Sequence, residues 1–285
     1  MANLIEQERN GAEAIELFSF YPGTKIVELT TENVSKAMAI IQLDANYAKA
    51  NDPENIPSQD NEGGKEEENF NLGGSSAFWF SRLKEKLISS VESDYKGPEY
   101  DEKIIVRNCV NAVDRENSTH LNADGVGRKE LSKRLLELDR NQLLSELENP
   151  KEKGYGLISK LSEKTKINQN DDKHKSRVNL SFASKFCQIA CYWLFDGKSE
   201  QDNFSKYDAV VKNVLISGIY QKSLGMNYNE KLKKELNTND VKCYEQYQKI
   251  IDEIRKGKIS RHGFDQLVWY YYKGKSEKEL KKLVS

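Results

Sequence analysis

A mainly α fold, α with a small N-terminal β element, is predicted by three observations on this 285-residue chain. Apolar residues recur at helical spacing in several separate stretches, the whole chain holds only five prolines, and one pair of short extended runs flanks a Pro-Gly turn near the start. At this length the chain can bury a sizeable core, and 37% hydrophobic with 31% charged residues suits helices with well-solvated faces.

The extended pair comes first. Leu17–Tyr21 and Lys25–Leu29 surround Pro22-Gly23 and read as a hairpin or edge strand. Thr30 or Thr31 then caps a helix beginning at Glu32, with Ala37, Ile40, Ile41 and Ala45 as its apolar positions. The stretch of about 51–71, with Asp52-Pro53 and Gly63-Gly64-Lys65-Glu66-Glu67-Glu68, has nothing to bury and is expected to be a mobile loop. After it, Ser75 or Ser76 caps a helix through Phe78, Trp79, Leu83 and Leu87. Leucines from Leu131 to Leu147 place helices over 127–148, ending before Pro150. A polar stretch, Lys164–Arg177, leads to helices expected at about 181–195, 208–220, 240–256 and 262–273.

The formal net charge of -1 conceals an asymmetry about Pro150. Residues 151–285 hold 27 Lys and Arg against 17 Asp and Glu, a balance of +10, which leaves -11 on residues 1–150. Two regions are therefore expected: an acidic 1–150 with the hairpin, the loop and helices, and a basic helical domain over 151–285. The basic half suits a polyanion such as nucleic acid, and the acidic half can balance or repel that ligand or offer a surface for a protein partner. The same lysines also fit solvated helix faces.

Some functions are disfavoured. No segment supplies the run of about 20 apolar residues that spans a bilayer, and the start, Met1–Glu8, has neither a basic n-region nor an apolar h-region, so a cytoplasmic protein without membrane contact is expected. Cys109, Cys187, Cys191 and Cys243 do not form a disulfide framework. Cys187 and Cys191 share a helical face but have no further ligand at suitable spacing, so they are read as packing residues and no metal is expected. Gly125-Val126-Gly127 lacks the spacing and preceding strand of a dinucleotide site, and no cofactor is called for.

The segment that suggests chemistry is Asn179–Phe195, an apolar helix carrying Lys185. Phe182, Phe186, Ile189 and Trp193 form a stripe, with Lys185 roughly 60° from its centre at 100° per residue. With Asn179 or Ser181 as cap, Lys185 is expected near the positive end of the helix dipole. That end and partial desolvation would both favour the neutral, nucleophilic amine. Twenty-three residues later, Asp208 opens the next helix and can supply the carboxylate that such an amine needs.

This pattern, with Leu180-Ser181-Phe182-Ala183-Ser184-Lys185-Phe186 followed by Tyr207-Asp208, resembles the helix-hairpin-helix DNA glycosylases, in particular 8-oxoguanine DNA glycosylase-like proteins, over about residues 177–272. The resemblance implies excision of an oxidised purine from damaged duplex DNA. In it Lys185 attacks C1′ and forms a Schiff base, Asp208 is the catalytic carboxylate, and AP lyase activity can accompany excision. Arg177, Ser181, Ser184 and Lys206 are then candidate nucleic-acid contacts, and Phe182, His262, Phe264 and Trp269 candidate walls of a pocket for the flipped base. His262 also fits a structural role beside a helix start, and the Trp269–Tyr272 run fits a core helix.

No glycine precedes Lys185 within Arg177–Ser181, although the family places glycines there for close phosphate approach. This departure and the acidic half motivate a second reading. It is a catalytically altered, glycosylase-derived binding protein acting in phage or mobile-element defence or counter-defence. A helical interaction module with no nucleic-acid role is the third.

Overall fold

The computed structural model describes residues 74–88, 101–117, 119, 121, 126–166, 176–208, 212, 229–255, 261–262 and 265. The expected N-terminal hairpin, the 32–45 helix and the 51–71 loop lie outside these residues, as do Phe264, Trp269 and most of the helices expected at 208–220 and 262–273. What is described is mostly helical. Contacts divide the chain between Asp196 and Gly197, giving one compact unit of residues 47–196 and another that includes 197–285. The charge balance changes at Pro150, whereas the contact boundary falls 46 residues later, after Asp196.

The 47–196 unit begins with α1 (Ser76–Ile88) and α2 (Glu102–Asn117). The expected cap is present: Phe78 N donates to Ser75 Oγ at 3.2 Å. A carboxylate from α2 completes this end, since Glu116 accepts from Ser76 N at 2.7 Å and from Ser76 Oγ at 2.6 Å. Negative charge at a helix N-terminus is stabilising there. Helix α2 has no counterpart among the helices expected from the sequence. It packs against α1 and two later helices, and it buries Ile105, Cys109, Val110, Ala112 and Val113 together with Asn108, Asn111 and Asp114. Those buried polar positions interrupt the apolar stripe by which a helix is read from its sequence.

Two helices occupy the expected 127–148 stretch, α3 (Val126–Leu136) and α4 (Arg140–Glu148). Asp139 separates them through a capping box: Gln142 N donates to Asp139 Oδ1 at 2.8 Å, and Asp139 N donates back to Gln142 Oε1 at 3.2 Å. Near the start of α3, a Cβ on Gly127 would meet Leu121 O at 2.5 Å, so the glycine is what lets the Leu121 backbone lie against the helix. Next comes α5 (Gly156–Ser162), whose N-cap Tyr155 is left-handed and offers no side-chain cap. Glu146 of α4 serves instead, accepting from Leu157 N at 3.0 Å. At the other end of α5, Arg134 of α3 donates to Glu163 O at 2.9 Å and Lys164 O at 3.0 Å.

The polar stretch after α5 contains a short antiparallel ladder, β1 (Thr165–Lys166) with β2 (Ser176–Arg177). It delivers the chain to α6 (Leu180–Leu194), the helix expected at 181–195. Phe186 of α6 lies 5.8 Å from Phe182 and 5.4 Å from Phe80 of α1 between ring centroids. All three rings are buried, and burying each is worth about 1.5–3 kcal/mol. Cys187 and Cys191 are buried too, and desolvation pushes the Cys187 thiol well up from its ordinary value. Such a thiol is an inert packing group.

The other unit contains a 3₁₀ turn (Ser199–Gln201), α7 (Glu230–Glu235) and α8 (Val241–Arg255). Asn229 caps α7, accepting from Leu232 N at 3.0 Å, and Asp240 accepts from Cys243 N at 2.9 Å at the start of α8. Phe204, Tyr207, Leu236, Cys243, Tyr244, Tyr247, Ile250 and Ile251 are buried. Among the described residues no helix is long and apolar enough to cross a membrane.

Candidate functional site

Lys185 is the sixth residue of α6 and half-buried. Phe182, one turn before it, and Phe186, the next residue, are buried against the core, so the amine leaves the edge of an ordered aromatic face. Its Nζ donates to Asn117 O at 3.2 Å, a carbonyl at the C-terminus of α2. This placement corrects the electrostatic expectation. The sixth position lies beyond the first turn, where the positive end of the α6 dipole has faded, while the α2 C-terminus presents partial negative charge. Of the two circumstances expected around the amine, partial burial is present, and the helix end it meets is the C-terminus of α2 and not the N-terminus of its own helix.

The end of α2 that receives Lys185 is built around Asp114, which is 3% exposed. Its Oδ1 accepts from Thr119 Oγ1 and, at 3.0 Å, from Leu121 N. Its Oδ2 accepts from Arg128 Nε at 2.7 Å and Nη2 at 2.6 Å. Thr119 N also donates to Asp114 O at 3.2 Å. One carboxylate thus ties α2, the following turn and the first residues of α3 together. Charge-assisted bonds of this kind are stronger than neutral ones.

Asp208 belongs to the other unit and is partly buried. Its carbonyl accepts from Lys212 N at 2.9 Å. The extended residues before it are held by α8. Ser205 N donates to Tyr244 Oη at 3.1 Å and Gln248 Oε1 at 3.0 Å; Tyr244 Oη donates to Ser205 O at 2.9 Å. Gln248 Nε2 donates to Asn203 O at 2.9 Å, and Tyr247 Oη to Lys206 O at 2.8 Å. Burial, then the nearby carboxylates of Asp208 and Asp265, push the Tyr247 hydroxyl well above its usual range, so it remains a donor.

The structure gathers several expected residues around this segment. Lys206 Nζ pairs with Asp265 at 3.0 Å. Desolvation, reinforced by the Lys206 ammonium, pushes the His262 imidazole down to about 3. His262 N donates to Asp202 Oδ1 at 3.2 Å, and Arg261 N donates to the other oxygen of that carboxylate, a cap on a helical turn. Asp208, Lys206 and His262 therefore share one unit, whereas Lys185, Ser181, Ser184, Phe182 and Arg177 belong to the other.

Several assignments change in detail. Ser184 is fully buried and its hydroxyl donates to Ser181 O at 3.0 Å, which turns it away from any phosphate. Phe182 is 1% exposed and packs on Phe186, a core contact and not an open pocket wall. Asn179 precedes α6 without a side-chain cap bond; its Nδ2 donates to Glu163 O and Thr165 Oγ1, both at 3.0 Å. The sequence reading passed over Asp114, Arg128, Tyr247 and Asp265. A carboxylate directly after Ala112-Val113 was the available signal for the first.

A neutral His262 has a consequence for stability. The unfolded imidazole titrates near 6.5 and the folded one near 3, so the unfolded chain binds more protons between these values. Its contribution is present above pH 6.5 and is lost as pH falls toward 3. Urea midpoints are expected to fall between pH 7 and 5, and His262→Gln to flatten that dependence. An unchanged slope in the variant would contradict the assignment.

No protein-family model, curated protein or solved structure matches the chain.

Proposed function

We propose that this chain is a DNA glycosylase-like protein of the helix-hairpin-helix class that excises an oxidised purine through Lys185, assisted by Asp208. The observation that supports the reading best is the half-buried Lys185 amine, directed by a hydrogen bond at the edge of an aromatic helix face. An ordered amine at such an edge is what nucleophilic attack on a sugar carbon requires. Asn117 O can orient the amine, but a backbone amide carbonyl is too weak a base to take its proton. We assign that role to Asp208.

In the proposed reaction the neutral Nζ attacks C1′ as the bond to the base breaks, and the base leaves with the bonding electron pair and a proton. The sugar ring then opens and the second nitrogen proton is lost, giving the C1′ imine. Borohydride is expected to trap this imine on duplexes carrying 8-oxoguanine or an abasic site, with no adduct in Lys185→Gln. Failure of the wild-type chain to form the adduct, or equal trapping in the variant, would overturn the proposal.

The lack of a glycine in Arg177–Ser181 before Lys185 favours the second reading, a catalytically altered binding protein in phage or mobile-element defence, because close approach of backbone amides to a phosphate is then not supplied. Under that reading Lys185→Ala leaves binding and defence intact.

A further inference from the structure

We propose that Asp114 is a positioning residue for Lys185: by clamping the turn after α2 it holds Asn117 O where that carbonyl receives the amine. The bearing of this on catalysis rests on Lys185 being the nucleophile; the clamp itself does not.

A carboxylate buried within a helix is costly unless it is satisfied. Among the described residues, those that satisfy the Asp114 carboxylate lie after it in the chain: Thr119, Leu121 and Arg128. Three separate elements are fixed by one side chain. Asn117 is the last residue of α2, between Asp114 and the turn it grips, and its side chain adds a bond, Nδ2 to Val113 O at 3.1 Å. The carbonyl that meets Lys185 therefore cannot shift without disturbing the clamp. Gly127 reinforces it, because only a residue without Cβ lets Leu121 O approach α3 so closely. An apolar residue at position 114 would leave the end of α2 to fray, as helix ends do when their last turn lacks side-chain support. Lys185 would then lose a fixed acceptor while α6 and its aromatic packing stayed in place.

The test needs no DNA. Amine labelling by a water-soluble acylating reagent, read at Lys185 by peptide mass spectrometry, reports how firmly that amine is held and how far it stays charged. Asp114→Ala is expected to raise the Lys185 rate by about threefold or more, since losing the acceptor and the α2 dipole both favour the reactive neutral amine. Asp114→Asn keeps an oxygen for Thr119 and Leu121 but sets its amide NH2 against the Arg128 donors, and is expected to give a rate between those of the wild type and Asp114→Ala. Leu147→Ala, which opens the core elsewhere in the unit, serves as the control for general loosening. Should Asp114→Ala fail to fold, Thr119→Val removes one bond of the clamp and is expected to raise labelling by a smaller factor. An unchanged Lys185 rate in the folded clamp variants, or an equal rise in Leu147→Ala, would overturn the proposal. If the clamp variants behave as expected while borohydride trapping fails in the wild-type chain, the positioning role stands and the glycosylase reading falls.

Discussion

Arg128→Met is expected to destabilise the 47–196 unit by about 3–5 kcal/mol, the usual cost of leaving one member of a buried ion pair without its partner. The asymmetry of the pair makes this the severe direction. The Asp114 side chain is 2% exposed and the Arg128 side chain 30% exposed, so the carboxylate has no route to water whereas the guanidinium does. Methionine preserves the stem packing and removes two charge-assisted bonds. Adding Asp114→Asn to Arg128→Met is expected to recover a large part of the loss. It removes the stranded charge and retains an oxygen for Thr119 and Leu121. Urea unfolding of the wild type, the two single variants and the double variant, followed as a cycle, measures the coupling. A loss below about 1 kcal/mol in Arg128→Met would place the pair among ordinary surface bridges.

Asp208→Asn carries the largest expected functional effect. If the carboxylate moves protons for the Lys185 amine, its replacement by a neutral isostere lowers single-turnover base release by about 10²–10⁴-fold, the range general acid–base groups contribute. Duplex affinity at fixed salt is expected to stay within a few-fold, because asparagine removes a negative charge and adds no clash. Asp208 lies beside the Tyr247 hydroxyl, whose bond to Lys206 O fixes the backbone two residues earlier. Equal excision by Asp208→Asn and the wild type would remove Asp208 from the mechanism and leave Lys185 to be judged by trapping alone.

The sequence exposed the elements whose large apolar residues repeat at helical spacing without interruption. Helix α6 was readable because Phe182, Phe186 and Ile189 repeat at helical spacing, and α8 because Tyr244, Tyr247 and Ile251 do the same. Helix α2 was hidden for the opposite reason, since buried Asn108, Asn111 and Asp114 break its apolar stripe. The seven-residue α5 and six-residue α7 are too short for periodicity to register. For the site, the position of Lys185 at an aromatic edge was legible, and its electrostatic partner was not. That partner is the carbonyl of a residue 68 positions away, and backbone acceptors leave no mark in composition or spacing. The engagement of Lys206 by Asp265 was equally invisible, because an ion pair between distant residues is a property of packing and not of pattern.

The stapling of Asn203–Lys206 by α8 bears on how the molecule is made. Each of the five bonds from Tyr244, Tyr247 and Gln248 spans 39 to 45 residues of chain. During synthesis the stretch that sets the Asp208 backbone leaves the ribosome well before the helix that will hold it. Closing so long a loop precedes any gain from the contacts. Asp208 therefore acquires its setting late, only after Gln248 has emerged, and a chain released before that residue would carry the aspartate without the framework that orients it.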